Sequence, residues 1–227
     1  MKPILTTIVT LILSSNLYGQ SFSDLWKQKD LGIGVNLYSF KGYSLTDTSF
    51  YTTSNLNNAP DTIELGSTSS YGVTVFAGWN FPLINLAEGW SVGINPNLAF
   101  TAGLSGGFGM FLEIPVFATL KYGTDATWSK STSFDKKFGA AIGIGYQATL
   151  GYTEAPITTT GISAVYALPT IMAEVSFVRN KKTLYKVRFQ TNLGRTKQRD
   201  YSEEVGYPAN VSFSQWGISI IRTKYGR

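Results

Sequence analysis

The chain of 227 residues contains no cysteine and no histidine. Without cysteine, disulfide bonds, thiol nucleophiles and Cys/His zinc sites are excluded. Without histidine, every imidazole-based catalytic dyad or triad is excluded as well. We therefore expect no metal site and no cofactor, and the sequence assigns no catalytic residue.

Charge is also scarce, at 15% of the residues against about 25% in an average soluble domain. The net charge is +5, and the basic residues form no patch or motif of a nucleic-acid-binding protein, so no nucleic-acid partner is expected. Beyond the N-terminus, no apolar run reaches the roughly 18 residues that a transmembrane helix requires. The mean hydropathy of +0.01 is expected for a transmembrane β-barrel, whose apolar residues alternate with polar ones.

The chain is rich in glycine, with 23 residues, and in aromatic residues, at 14%. In the stretch 138–152, apolar residues at even positions alternate with small, uncharged residues at odd positions. Successive side chains of a strand point to opposite faces, so this stretch predicts one long strand. Its apolar face suits lipid, with Phe138 and Tyr152 at the two interfaces, and its small face suits the crowded interior of a narrow barrel.

The same alternation recurs along the chain and predicts eight strands. This even number suits an all-β fold, namely an antiparallel, up-and-down transmembrane β-barrel. The polar stretches 41–70 and 195–210 read as long outward loops, whereas 82–89 and 180–182 read as turns. The predicted strands are 31–40, 71–81, 90–104, 110–122, 138–152, 163–179, 183–194 and 211–225.

The N-terminus predicts export. Lys2 precedes an apolar segment from Ile4 to Leu13, and small residues follow up to Gly19, which is the pattern of a secretory signal peptide. We therefore divide the chain into a signal peptide (1–19), a polar lead (20–30) that could form one helical turn, and the barrel domain (31–227).

Three basic residues at strand ends, Arg179, Arg222 and Lys224, fall on the apolar face and could reach the interface. The other charged residues within the predicted strands fall on the small face, as a lipid-facing exterior requires, because an Arg or Lys at the lipid midplane costs about 2–4 kcal/mol. A three-residue turn at 180–182 would place Glu174 opposite Arg188, with Lys186 one step away, and predicts an ion pair. Glu113 could reach the same group across the lumen. This lumen charge cluster of Glu113, Glu174, Lys186 and Arg188 is interpreted as a plug that rigidifies the barrel, with a ligand or proton site as the alternative.

In its signal peptide, eight strands, short inner turns and final strand, the chain resembles the small outer-membrane barrels of the OmpA/OmpX type. The last strand partly resembles their assembly signal, as Gln215-x-Gly217-x-x-Ile220. The resemblance implies location in a Gram-negative outer membrane, with the lipid bilayer and the barrel-assembly machinery as partners; it leaves the oligomeric state open.

Fold does not define activity, because this fold hosts several functions. Our first hypothesis is a non-enzymatic barrel that is structural or interacts through its extracellular loops. The second is a narrow channel or a small-ligand binder with a charged lumen. The third is a lipid-modifying enzyme, which the lack of histidine disfavours.

Overall fold

The computed structural model describes residues 28–45, 62–104, 109–126, 137–154, 161–179, 183–194, 196–201 and 208–225. Within these ranges the pairing is antiparallel throughout. In the same ranges, no helix has the length and apolar character needed to cross a membrane. The strands are β1 (Gln28–Leu45), β2 (Thr62–Trp79), β3 (Phe81–Ala87), β4 (Trp90–Gly103), β5 (Gly109–Gly123), β6 (Phe138–Glu154), β7 (Gly161–Arg179), β8 (Thr183–Asn192), β9 (Thr196–Tyr201) and β10 (Pro208–Tyr225).

These segments form a closed barrel of eight strands. β2 and β3 are separated only by Asn80 and pair with successive parts of β4, so together they make one barrel strand. β8 and β9 likewise pair with successive parts of β10. β1 pairs with β2 on one side and with β10 on the other, which closes the sheet. The predicted all-β, eight-stranded, antiparallel fold is confirmed.

The predicted facing of the strands is confirmed as well. Ile142, Ile144 and Leu150 are exposed by 62%, 60% and 46%, whereas Gln147 and Thr149 of the same strand are fully buried. An apolar exterior around a polar interior is the reverse of a soluble barrel and is the arrangement of a transmembrane one.

Glycine on the inner face makes room for larger inner side chains. A Cβ at Gly32 would collide with the ring of Phe76, and a Cβ at Gly217 would collide with the side-chain oxygen of Asn36. The small residues that the alternation predicted for the inner face thus leave space above them. Larger side chains from neighbouring strands fill this space as they extend into the lumen.

The strands are longer than predicted. β1 begins at Gln28, three residues before the expected start, and β1 and β2 continue into the predicted loop 41–70. The predicted turn 82–89 holds β3, with a tight turn only at Glu88-Gly89, where Gly89 has a φ of 77°. β9 and the start of β10 occupy part of the predicted loop 195–210. The reason is that apolar alternation marks only the lipid-facing part of a strand, whereas backbone pairing continues beyond it.

Several predicted segments lie outside the described residues, namely the signal peptide, most of the lead and the turn 180–182. We call the end of the barrel where β1 begins and β10 finishes the terminus end, and the opposite end the loop end. The β3–β4, β5–β6 and β7–β8 connections lie at the terminus end. The β1–β2, β4–β5, β6–β7 and β9–β10 connections lie at the loop end.

Candidate functional site

Six charged side chains are buried in the lumen towards the terminus end, and we call them the ionic cluster. Three are cationic and three anionic, and each is at most 3% exposed. They come from β1, β5, the β5–β6 connection, β7 and β8, so the cluster joins both halves of the barrel. Its members are Asp30, Lys121, Asp125, Glu174, Lys186 and Arg188.

Glu174 and Arg188 are directly opposite each other on β7 and β8, which is the predicted register. The Nε and Nη2 atoms of Arg188 both lie 2.9 Å from Oε2 of Glu174, so the predicted ion pair is present. The remaining guanidinium donors cross the lumen to β4, where Nη1 is 3.0 Å from Oδ1 of Asn97 and Nη2 is 2.8 Å from Oδ1 of Asn95. The guanidinium also stacks over the ring of Phe76, 5.5 Å from its centroid.

Lys186 joins two further carboxylates. Its Nζ lies 2.9 Å from Oδ2 of Asp30 and 2.8 Å from Oδ2 of Asp125, and 3.8 Å from Oε1 of Glu174. Asp125 also accepts from Lys121 at 2.5 Å. Burial of a charge is costly unless the charge is paired and hydrogen-bonded. The cluster meets both conditions, because three positive and three negative groups alternate in space.

Asp30 and Asp125 are members of the ionic cluster that the sequence prediction did not include, since Asp30 falls in the predicted lead and Asp125 between the predicted strands 110–122 and 138–152. Both keep the inward parity of the strand next to them: Asp30 precedes Gly32 and Gly34, and Asp125 follows Lys121 and Gly123. If the inward and outward alternation of each strand had been continued beyond its last apolar residue, the sequence would have predicted that Asp30 and Asp125 face the lumen.

The β5–β6 connection helps to close the terminus end. Gly123, with a φ of 84°, turns the chain, and Thr124, Asp125 and Ala126 are all buried. The hydroxyls of Thr124 and Ser176 are 2.7 Å apart. These contacts give a reason for the unusual length of this connection, because its first residues fill the mouth of the barrel.

Glu113 lies in a separate place, and the expectation that it joins the other charges is wrong. Tyr38 donates its hydroxyl to Oε1 of Glu113 at 2.6 Å, and Nε2 of Gln215 donates to the same oxygen at 3.0 Å. Nδ2 of Asn36 is 3.3 Å from Oε2. No lysine or arginine nitrogen of the described ranges lies within 4.0 Å of this carboxylate. We call these four residues the Glu113 cluster.

Apolar side chains separate the two clusters and cover the second. Phe117 lies between Lys121 and Glu113 along β5, and it packs with Met172 and Ala141. Towards the loop end, an aromatic group follows, in which the rings of Tyr38 and Phe111 are stacked at 4.5 Å. This aromatic group consists of four aromatic residues together with Leu168, which packs among them; the four are Tyr38, Phe111, Tyr166 and Phe213.

Along its described length, the lumen is therefore occupied by successive layers of ionic, apolar, polar and aromatic side chains. No group of three or more acidic, histidine or cysteine side chains in these ranges is arranged to hold a metal ion. Chemically, the arrangement can cross-link the barrel wall and hold buried charge. A bound solute would have to displace packed side chains.

Comparisons with known proteins return bacterial outer-membrane barrels. No family model and no curated protein matches the chain. Among solved structures, Neisserial surface protein A is 11% identical, with 86% of this chain and 97% of that chain covered and a TM-score of 0.40. The outer membrane protein OprG from Pseudomonas aeruginosa is 12% identical, with coverages of 89% and 99% and a TM-score of 0.39. The outer membrane protease OmpT from Escherichia coli is 9% identical, with coverages of 87% and 96% and a TM-score of 0.47.

At these identities the likeness concerns the fold alone. The chain is an eight-stranded barrel of the transmembrane type by its own strand pairing and by its apolar exterior.

Proposed function

We propose that the protein is a non-enzymatic β-barrel of the outer membrane, with a structural role or a role in binding partners through its loops at the loop end. The observation that carries the proposal is the interior: its described charged groups are buried and bonded to other side chains of the lumen. A cross-linked lumen supports a rigid scaffold on which loops are displayed.

The exterior supports the membrane placement. Exposed apolar side chains run around the barrel, among them Ile33, Val75, Leu98, Val175 and Ile218. Such a continuous apolar surface is stable in hydrocarbon and unfavourable in water. In this proposal, residues 1–19 direct export, the barrel-assembly machinery inserts the chain, and the terminus end faces the periplasm.

Conductance in planar bilayers tests the proposal against a channel. The folded protein is expected to give no steady current, because the ionic cluster and the aromatic group both occupy the lumen. Incubation with labelled phospholipid or lipopolysaccharide tests the enzyme hypothesis, and no product is expected. Steady single-channel currents or release of a labelled product would overturn the proposal.

A small-ligand binder remains the second candidate because of the Glu113 cluster. No described lysine or arginine nitrogen lies within 4.0 Å of the Glu113 carboxylate, so a small cation is the ligand that would balance its charge. Equilibrium dialysis with radioactive sodium would detect it. Binding that disappears in Glu113→Gln would support this candidate over a purely structural lumen.

A further inference from the structure

We propose that the outer surface of the terminus end binds the headgroups of anionic phospholipids. Four exposed basic residues carry this inference, and we call them the basic fringe: Lys29, Lys137, Arg179 and Arg222. All four are exposed and lie outside the ionic cluster, and the proposed function does not use them. Lys29, Arg179 and Arg222 occupy outward-facing strand positions, and Lys137 lies in the bend just before β6.

The basic fringe occupies one continuous sector of the barrel wall. Lys29 lies at the start of β1, and Arg222 lies on the adjacent β10, two residue pairs further along. Arg179 ends β7, where it pairs with Thr183 of β8. The carbonyl of Lys137, just before β6, accepts from the backbone nitrogen of Val178 at 3.0 Å. The sector therefore spans β6, β7, β8, β10 and β1.

The position of the basic fringe along the barrel axis matches the level of the lipid headgroups. Arg222 lies in a row with Leu31 and Tyr185, and the next row towards the middle is fully apolar. Lys and Arg side chains place their stems on apolar surface and their charges at the interface. The members of the apolar row are Ile33, Ile220, Val187 and Val175, paired in register from β1 to β7.

The charge of the fringe is uncompensated by the described protein. Each cation of the ionic cluster has a carboxylate within 4.0 Å, whereas none of the four fringe residues has one among the described residues. Glu88 is exposed at the same end, but it lies in the β3–β4 turn, outside this sector. At the headgroup level of a bilayer, the anions next to this surface are lipid phosphates, and basic residues near an anionic membrane attract them.

The inference rests on the proposed placement of the barrel in a bilayer. The test uses the full chain, folded into vesicles of equal parts phosphatidylethanolamine and phosphatidylglycerol, then gently extracted. The lipids that stay bound are counted by native mass spectrometry. Phosphatidylglycerol is expected to be retained about fivefold over phosphatidylethanolamine at low salt. The preference is expected to shrink at high salt, which screens exposed charges.

Two double variants that each remove two positive charges distinguish binding at the basic fringe from a general effect of net charge. Arg179→Gln/Arg222→Gln is expected to abolish most of the preference. Lys197→Gln/Arg199→Gln removes two charges from β9 at the loop end and is expected to leave the preference unchanged. An equal loss in both variants, or no preference in the unaltered protein, would overturn the inference.

A third arm replaces phosphatidylglycerol by lipopolysaccharide. If lipopolysaccharide binds through the fringe as strongly as phosphatidylglycerol, the assignment to phospholipid is wrong. Folding in neutral phosphatidylcholine vesicles distinguishes a failure of the lipid-binding inference from a failure of the proposed function. A barrel that folds there without lipid preference contradicts the fringe alone, whereas failure to insert in any vesicle contradicts the proposed function.

Discussion

Glu174 and Glu113 are both enclosed in the lumen, exposed by 3% and 0%, but they are stabilised by different kinds of partner. Glu174 faces the guanidinium of Arg188 at 2.9 Å and the ammonium of Lys186 at 3.8 Å. Glu113 accepts from a hydroxyl and two amides. The barrel thus holds buried acidic groups in two ways, by opposite charge near the terminus end and by neutral donors nearer the loop end.

The difference predicts how each region responds to substitution. In the ionic cluster, loss of one partner leaves a buried charge of the opposite sign uncompensated, which is costly. In the Glu113 cluster, loss of one donor removes one hydrogen bond among several. The predictions below concern stability, measured as the free energy of unfolding by urea in phosphatidylcholine vesicles.

Arg188→Met is expected to have the largest effect. It keeps much of the side-chain volume but leaves Glu174, Asn95 and Asn97 without their shared donor. Breaking such a buried pair costs about 3–5 kcal/mol. Arg179→Met makes the same change on the exposed exterior and is expected to stay within about 0.5 kcal/mol. Similar losses at the two positions would show that the lumen contacts contribute little.

Asp125→Asn tests the contribution of the β5–β6 connection. The amide removes the negative charge between Lys121 and Lys186, although Lys186 keeps Asp30 at 2.9 Å. Loss of hydrogen bonds to charged groups is expected to cost about 2–3 kcal/mol. The exposed Glu88→Gln serves as the control, with a change below about 0.5 kcal/mol. An unchanged midpoint for Asp125→Asn would mean that this connection does not stabilise the closed end.

Tyr38→Phe is expected to have the smallest effect of the three. It removes the 2.6 Å hydrogen bond to Glu113 but keeps the ring stacked on Phe111. The expected loss is about 1–2 kcal/mol, because Gln215 and Asn36 still donate to the carboxylate. Tyr146→Phe, on the lipid-facing exterior and 66% exposed, controls for loss of a hydroxyl. A loss as large as that of Arg188→Met would contradict the distinction between the two clusters.

Much of the fold could be predicted because each strand repeats one rule. Ile142 and Ile144 face outward, and Glu174 and Arg188 face each other, since strand parity and a three-residue turn determine both. The ends of the strands could not be predicted in the same way. Beyond the apolar belt, residues 66–70 of β2 and 196–200 of β9 are polar or glycine at odd and even positions alike, so they lack the alternation that reveals a strand.

The partners across the lumen could not be predicted either. Sequence spacing determines which residues face inward, but not how far one wall is staggered against the opposite wall. The contact between Arg188 and Asn97 joins residues 91 positions apart, on strands that are not neighbours. The same uncertainty explains why Glu113 was expected to reach the other residues of the lumen charge cluster. In the structure, Phe117 lies between Glu113 and Lys121 along β5.

The most direct test of the central claim applies one chemical change to both carboxylates and compares the free energies of unfolding. Glu174→Gln leaves Arg188 and Lys186 with excess positive charge, and we expect a loss of about 3–5 kcal/mol. Glu113→Gln keeps an acceptor for Tyr38 and Gln215 and removes only the acceptor of Asn36, whose Nδ2 also lies 3.3 Å from the hydroxyl of Thr101. We therefore expect a loss of about 1 kcal/mol. Equal losses for the two variants, or a larger loss for Glu113→Gln, would contradict the account.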